Sequence, residues 1–207
     1  MSLAVVQAGL GEAHAALGTL MANESALQAV ADAGALLASA LKAGNKVYSC
    51  GNGGSMCDAM HFAEELSGRY RDDRPGYAAI AISDPSHMSC VGNDYGYDRV
   101  FARFMEAHGR PGDVLLAIST SGSSKNVLAA AAAATQRGVG VIALTGKAGS
   151  ALTQACTMAI VTPAGRYADR VQELHIKVIH LLIELVEREL APQNYAPIST
   201  LTSALGT

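Results

Sequence analysis

The stretch Asp113-Val114-Leu115-Leu116-Ala117-Ile118, followed directly by Ser119-Thr120-Ser121-Gly122-Ser123-Ser124, carries the clearest fold signal in the chain. Its first half is apolar after Asp113, which is typical of a parallel strand covered on both faces. Its second half is a run of hydroxyl residues around one glycine, and an alanine-rich helical pattern follows over residues 125–137. The stretch therefore predicts a buried strand that turns into a helix.

Four more short apolar segments alternate with helical patterns along the chain. With the segment just quoted, the predicted strands cover residues 46–50, 78–82, 113–118, 139–144 and 158–162. This alternation predicts an α/β fold with a doubly wound, flavodoxin-like, five-stranded parallel sheet flanked by helices. Ligand-binding loops are then expected at the carboxyl ends of the strands. We interpret Gly92-Asn93-Asp94-Tyr95-Gly96 as a sharp turn leading into a helix that ends near Gly109.

The length of 207 residues fits one ordinary domain preceded by two helices. We predict N-terminal helices over 1–43, an α/β domain over 44–190 and a flexible tail over 191–207, which contains two prolines and small polar residues. The formal net charge of -3 provides no basic surplus for a phosphate backbone, so nucleic acid is not an expected partner. The sequence shows neither a signal peptide nor an apolar stretch long enough to span a bilayer, and a cytoplasmic location is expected.

The hydroxyl run has the composition of a phosphate site. A strand-to-helix junction supplies backbone amides, and Ser119, Thr120, Ser121 and Ser124 add hydroxyl donors without bulky stems. An ordinary helix-capping cluster is the structural alternative, because Ser and Thr favour helix starts. Five hydroxyl residues around one glycine favour the anion site.

A second predicted strand-to-helix loop is Cys50-Gly51-Asn52-Gly53-Gly54-Ser55. It lacks the G-x-G-x-x-G spacing of a dinucleotide fingerprint and the G-K-[ST] of a P-loop. Its glycines would let a ligand approach the backbone closely, which suits a sugar chain. A plain tight turn explains the loop equally well.

Two predicted helices carry candidate acid, base and metal-binding groups. His61 and Glu65 are four residues apart and project from one helix face, a spacing that can chelate a metal or simply form a solvated pair. In the last helix, Gln172 and His180 interrupt an apolar stripe, and His180 could equally be a structural histidine. Ketose–aldose isomerisation needs a base, an acid and stabilisation of an oxyanion, and Glu65, His180 and a divalent metal could fill those roles.

With these residues in place, the chain resembles the phosphoheptose isomerases of the SIS (sugar isomerase) superfamily over residues 44–190. The matching blocks are Ser49-Cys50-Gly51-Asn52-Gly53-Gly54-Ser55, Asp58-Ala59-Met60-His61-Phe62-Ala63-Glu64-Glu65-Leu66, Gly92-Asn93-Asp94-Tyr95-Gly96, Ser119-Thr120-Ser121-Gly122-Ser123-Ser124 and Ala168-Asp169-Arg170-Val171-Gln172-Glu173. The tail after Leu190 extends beyond the family pattern. The resemblance implies a sheet of the SIS type.

The resemblance also implies a set of site residues. The phosphate would lie on Ser119, Thr120, Ser121 and Ser124, and the sugar against Asn52, Gly53, Gly54, Asn93 and Asp94. The resemblance also implies that Ser55, Arg69 and Asp169 assist at the substrate site. One zinc ion per subunit would be held by His61, Glu65, Gln172 and His180, with Glu65 as general base and His180 as the acid opposite it; Glu65 and Gln172 would also contact the substrate.

The implied reaction converts sedoheptulose 7-phosphate to D-glycero-D-manno-heptose 7-phosphate, the first step towards nucleotide-activated heptose for lipopolysaccharide and related glycans. The implied assembly is a homotetramer whose core includes the N-terminal helices and the last helix. Two other readings stay open. A non-catalytic SIS-type regulator would act through protein contacts, and an amino-sugar phosphate isomerase or etherase would keep the hydroxyl loop without needing the four metal-binding residues.

Overall fold

The computed structural model describes residues 2–162 and 165–197 and places five strands in one sheet. The strands are β1 (Val47–Cys50), β2 (Ala79–Ala81), β3 (Val114–Ile118), β4 (Gly140–Thr145) and β5 (Met158–Val161). All pairings are parallel and the order is β2-β1-β3-β4-β5. The predicted flavodoxin-like sheet is therefore confirmed, with strand ends within two residues of the expected positions.

The strand order creates one topological switch point. The chain leaves β1 towards β2 on one side of the sheet and leaves β3 towards β4 on the other, while β1 and β3 are direct neighbours. Loops that leave neighbouring strands in opposite directions open a crevice at their carboxyl ends, where doubly wound folds bind ligands. The glycine-rich loop after β1 and the hydroxyl run after β3 border this crevice.

Helices cover both faces of the sheet. They are α1 (Leu3–Met21), α2 (Glu24–Lys42), α3 (Gly54–Ser67), α4 (Pro85–Tyr95), α5 (Val100–His108), α6 (Lys125–Gln136), α7 (Ala151–Gln154) and α8 (Ala168–Leu190). Helices α2, α3 and α8 build one core against Val114, Leu116 and Ile118, and α5 and α6 build the other against Leu115 and Ala117. Alternate residues of β3 thus enter opposite cores, which explains its uninterrupted apolar sequence.

The stretch from Gly92 to Gly96 is not the isolated sharp turn that the sequence suggested. Residues up to Tyr95 form the last turn of α4, and the chain bends only at Gly96, where φ is 84°. The start of α4 has a clear signal: the Asp84 side chain accepts a hydrogen bond from the His87 amide, and Pro85 occupies the first turn. The next helix ends at His108, as expected.

Part of the predicted flexible tail packs against the domain. Residues Pro192–Asn194 form a 3-10 turn, and the Tyr195 hydroxyl donates to Glu187 Oε2 at 2.6 Å. Residues 198–207 lie outside the described chain. Among the described helices, none combines the length and apolar character that crossing a bilayer requires.

Candidate active site

Helix α8 reaches the crevice because two glycines let it approach the strand-end loops. A Cβ atom on Gly54 would lie 2.5 Å from Gln172 Nε2, and one on Gly146 would lie 2.7 Å from the Val171 methyl groups. At Gly146 the distance leaves no room for a Cβ atom, whereas at Gly54 a Cβ atom would displace the end of the Gln172 side chain. The start of α8 therefore lies against the loops after β1 and β4.

The hydroxyl run after β3 forms a compact turn, which we call the hydroxyl loop (Ser119–Ser124). The Gly122 amide donates to the Ser119 carbonyl at 3.0 Å, and the Ser119 and Ser124 hydroxyls lie 3.0 Å apart. Gly122 has φ 64°, and a Cβ there would lie 2.2 Å from Ser150 Oγ. Ser121 and Ser123 are exposed, and the Ser123 hydroxyl donates to Ser121 Oγ at 3.0 Å, so both hydroxyl groups lie at the surface of the loop.

The loop after β1 is tied to the helix that follows the hydroxyl loop. Asn52 and Asn126 exchange two side-chain amide hydrogen bonds, both 2.8 Å long, and Asn126 also accepts from the Val127 amide. The reciprocal pair holds the two loops at a fixed separation. Sequence reasoning missed Asn126, because nothing in its local sequence shows that it faces Asn52 across the switch point.

A cluster of potential metal ligands lies between α3 and α8. His61 Nε2 lies 3.0 Å from His180 Nε2 and 3.6 Å from Glu65 Oε1, and its Nδ1 lies 3.3 Å from Glu64 Oε1. Two imidazole nitrogens that face each other need either a shared proton or a shared cation. Together with a carboxylate, they form the donor set that suits a divalent transition metal. The residues present therefore fit a metal ion.

The surroundings shift the acid–base properties of this cluster. Burial raises the pKa of Glu65, whose side chain is 18% exposed; the Glu64 charge adds to the rise and His61 opposes it. Burial also lowers the pKa of His180, and electrostatic repulsion from the neighbouring basic groups His61, Lys177 and Arg71 lowers it further. A carboxylate with a raised pKa is a stronger base, and a histidine with a lowered pKa more readily gives up a proton.

The end of α3 is held by an arginine that sequence reasoning did not single out. Arg74 Nη2 donates to the Glu65 carbonyl at 2.7 Å and Nη1 donates to the Leu66 carbonyl at 2.8 Å. Its Nε donates to Glu187 Oε1 at 2.7 Å, and both side chains of this ion pair are fully buried. The contact fixes the backbone turn that carries Glu65.

The two histidines of α8 have different surroundings. His175 is fully buried, and neither of its ring nitrogens has a well-formed hydrogen bond, with the Thr145 backbone as the nearest partner. His180 lies on the side that faces His61. His175 thus belongs to the core, whereas Gln172 and His180 face α3.

The remaining predicted residues lie at the ends of α3, α4 and α8. Ser55 is buried at the start of α3, and Arg69 is exposed just after its end. Asp169 is exposed in the first turn of α8. Asn93 and Asp94 share a 2.7 Å hydrogen bond at the exposed end of α4 and form no hydrogen bond or ion pair with the other predicted residues within the part of the chain that the structure describes.

The comparisons with known proteins agree with this architecture. The sequence model of the SIS domain family matches residues 12–146. The phosphoheptose isomerase of Pectobacterium atrosepticum is 57% identical over 189 residues, which is 91% of this chain and 98% of that protein.

Two solved structures are similar in fold and sequence. The phosphoheptose isomerase of Neisseria gonorrhoeae aligns with a TM-score of 0.81 and 38% identity, covering 88% of this chain and 96% of that one. The phosphoheptose isomerase from Francisella tularensis aligns with a TM-score of 0.82 and 33% identity, covering 91% of this chain and 99% of that one. The chain therefore belongs to the SIS domain family and, within it, to the phosphoheptose isomerases.

Proposed function

We propose that this isomerase converts sedoheptulose 7-phosphate to D-glycero-D-manno-heptose 7-phosphate through an enediol. The observation that supports this most directly is the convergence of His61, Glu65 and His180 in one cluster, on a chain that matches curated phosphoheptose isomerases over nearly their whole length. The product would be a precursor for nucleotide-activated heptose and the glycans built from it.

The proposed reaction moves one proton between neighbouring carbons. With the phosphate anchored by Ser119, Thr120, Ser121 and Ser124, Glu65 removes a proton from C1 of the ketose. The C1=C2 enediol forms as the C2 carbonyl gains a proton. His180 then delivers a proton to C2, and the O1 hydroxyl proton leaves as the C1 aldehyde forms. Asn52, Gly53, Gly54, Ser55, Arg69, Asn93, Asp94 and Asp169 are the proposed contacts that orient the sugar.

The proposed cofactor is one zinc ion per subunit, held by His61, Glu65, Gln172 and His180. The close approach of His61 to His180 and to Glu65 supports three of these ligands, and Gln172 lies on the side of α8 that faces α3. When bound, zinc would act as a Lewis acid that polarises the sugar oxygens as negative charge develops on them.

The proposed assembly is a homotetramer in the cytoplasm, with no nucleic-acid or membrane partner. Exposed apolar residues along α1, namely Leu3, Val6 and Leu10, support a role for this helix in self-association.

The function is tested by adding sedoheptulose 7-phosphate to purified protein with zinc supplied. We expect an aldose phosphate as the product, and we expect the Glu65→Gln variant to remain folded with at least 100-fold lower turnover. A wild-type protein that shows no turnover but binds a protein partner tightly would favour the regulatory reading. Turnover of amino-sugar phosphates in place of sedoheptulose 7-phosphate would favour an amino-sugar phosphate isomerase or etherase.

The ligand set is tested by metal content. We expect His61→Ala to lose bound zinc and activity together, since removal of one ligand typically weakens a metal site by orders of magnitude. His14→Ala, which changes an exposed histidine of α1, is the matched control and should keep both. Unchanged zinc content in His61→Ala, measured by elemental mass spectrometry, would contradict the four-ligand assignment.

A further inference from the structure

The hydroxyl loop lacks a positive charge of its own. A phosphate monoester carries a charge of about -1.5 to -2 at neutral pH, and hydrogen bonds to ionised groups are strongest when the donor is also charged. The six residues of the loop supply only hydroxyl and amide donors. A dianionic ligand held there would be more stable with a cationic side chain in reach.

A cavity of about 340 Å³ opens beside the loop and brings two cations to it. Thr120 and Ser121 line one side, Lys147 lines a second side after β4, and Arg166 lines a third before α8. The cavity therefore joins hydroxyl donors and two positive charges that lie far apart in the sequence.

The fold explains why Lys147 lies beside the loop. A Cβ atom on Gly146 would lie 3.1 Å from the Thr120 carbonyl, and the Gly146 amide donates to that same carbonyl at 3.1 Å. The Lys147 amide lies 3.3 Å from Thr145 Oγ1. The backbone that carries Lys147 is thus fixed against the hydroxyl loop.

Neither cation is neutralised by a carboxylate within residues 2–162 and 165–197. The structure gives Lys147 no ion pair there, and the guanidinium of Arg166 lies 5.2 Å from the Tyr167 ring centroid without an acidic partner. Arg170, a turn further on, contrasts with both because it pairs with Glu12 and Glu173. Two uncompensated charges that line one cavity make it attractive to an anion.

The neighbouring cavity differs in charge. It has a volume of about 700 Å³ and is lined by Glu12, Asp169 and Arg170 along with Arg166. Its carboxylates would repel a phosphate group. An anion is therefore drawn to the smaller cavity at the hydroxyl loop.

We propose that Lys147 and Arg166 form a cationic rim on the phosphate site and strengthen its binding of the phosphate group. This inference rests on the proposed function, because it assumes that the hydroxyl loop holds the phosphate of the substrate. The two side chains contact the end of the sugar that does not react, so they contribute to binding and leave proton transfer to other residues.

The test measures both phosphate binding and turnover in Lys147→Ala and Arg166→Ala. By calorimetry, each variant should bind inorganic phosphate about tenfold more weakly than the wild type. With sedoheptulose 7-phosphate, each should raise KM about tenfold and leave kcat within about twofold, as expected for loss of a uniform binding contact. Added salt should weaken phosphate binding less in the variants, because screening acts on the charges that they lack.

Lys125→Ala is the matched control, since Lys125 follows the hydroxyl loop directly but interacts with Asp98 and does not line the cavity. Its phosphate affinity and KM should stay within about twofold of the wild-type values. If the wild type turns over sedoheptulose 7-phosphate and both cavity variants bind inorganic phosphate normally, the inference is wrong and the function stands. If the wild type has no turnover, the proposed function fails; calorimetry then still decides whether the rim binds phosphate.

Discussion

Single residues set the geometry of the hydroxyl loop and of the cluster of potential metal ligands. Gly122 occupies the left-handed region with φ 64° and leaves no room for a Cβ atom beside Ser150. The His61 side chain contacts residues of its own helix and of α8, and its Nε2 atom lies 3.0 Å from His180 Nε2. Each end of the proposed substrate site therefore depends on a contact between different parts of the chain.

Gly122→Ala should damage the phosphate end of the site. The added Cβ would lie 2.2 Å from Ser150 Oγ, and the left-handed φ would itself be strained, so we expect stability to fall by about 1–3 kcal/mol and phosphate affinity to fall at least tenfold. Gly149→Ala is a matched control with the same φ of 64° and no atom within 4 Å of the new Cβ. Equal phosphate affinity in the two variants, measured by calorimetry, would show that the Ser150 contact does not shape the loop.

Among the secondary-structure elements, helix α8 contributes both to the core, through His175, and to the candidate active site, through His180. Its His175 faces the sheet without a well-formed hydrogen bond, and burial lowers the pKa of His175 to about 4. Above pH 6.5 this histidine is neutral in both the folded and the unfolded chain. Between about pH 6.5 and about pH 4, the unfolded chain binds a proton that the folded chain does not bind, so stability falls as the pH falls.

His175→Leu should remove this pH dependence. Between pH 7.5 and pH 5, we expect the wild type to lose about 2 kcal/mol more unfolding free energy than the variant, as measured by urea unfolding. His14→Gln, which changes an exposed histidine, should follow the wild type. A His175→Leu variant with the same loss as the wild type would rule out His175 as the source.

The sequence was sufficient to locate the strands and most of the helices, but it was insufficient to predict the contacts between them. Apolar runs located all five strands, because both faces of the sheet are covered. Helix α4 was missed, although Asp84 and Pro85 mark its start, because the glycines near its end suggested a turn. The spacing of His61 and Glu65 was visible in the sequence. The contact of His180 with His61 and the hydrogen bond from Arg74 to the Glu65 carbonyl depend on tertiary packing, which the sequence does not show.

At the scale of the whole molecule, one surface of α1 remains uncovered. Leu3, Val6 and Leu10 follow one another at three- and four-residue steps and are 55–68% exposed. Further along the same helix, Leu17 packs against the core. The exposed apolar stripe is therefore continuous with the part of the helix that holds it to the domain, which favours burial of the stripe in an assembly.

Leu10→Glu should weaken the proposed tetramer. A buried charge without a partner opposes association, so we expect smaller species at micromolar concentration in sedimentation velocity experiments. Ala8→Glu, which adds the same charge at an exposed position on the opposite side of α1, should sediment like the wild type. An unchanged distribution for Leu10→Glu would exclude this stripe from the subunit contact.

In the proposed reaction, Glu65 removes a proton from one carbon and His180 delivers another to the neighbouring carbon. The direct measurement is NMR analysis of the aldose phosphate formed from sedoheptulose 7-phosphate in D2O. Because the proton on His180 exchanges with solvent, we expect one carbon-bound deuterium at C2 of the product, and at least 100-fold slower product formation by Glu65→Gln. Product that carries no deuterium at C2, or normal turnover by Glu65→Gln, would contradict the proposed reaction.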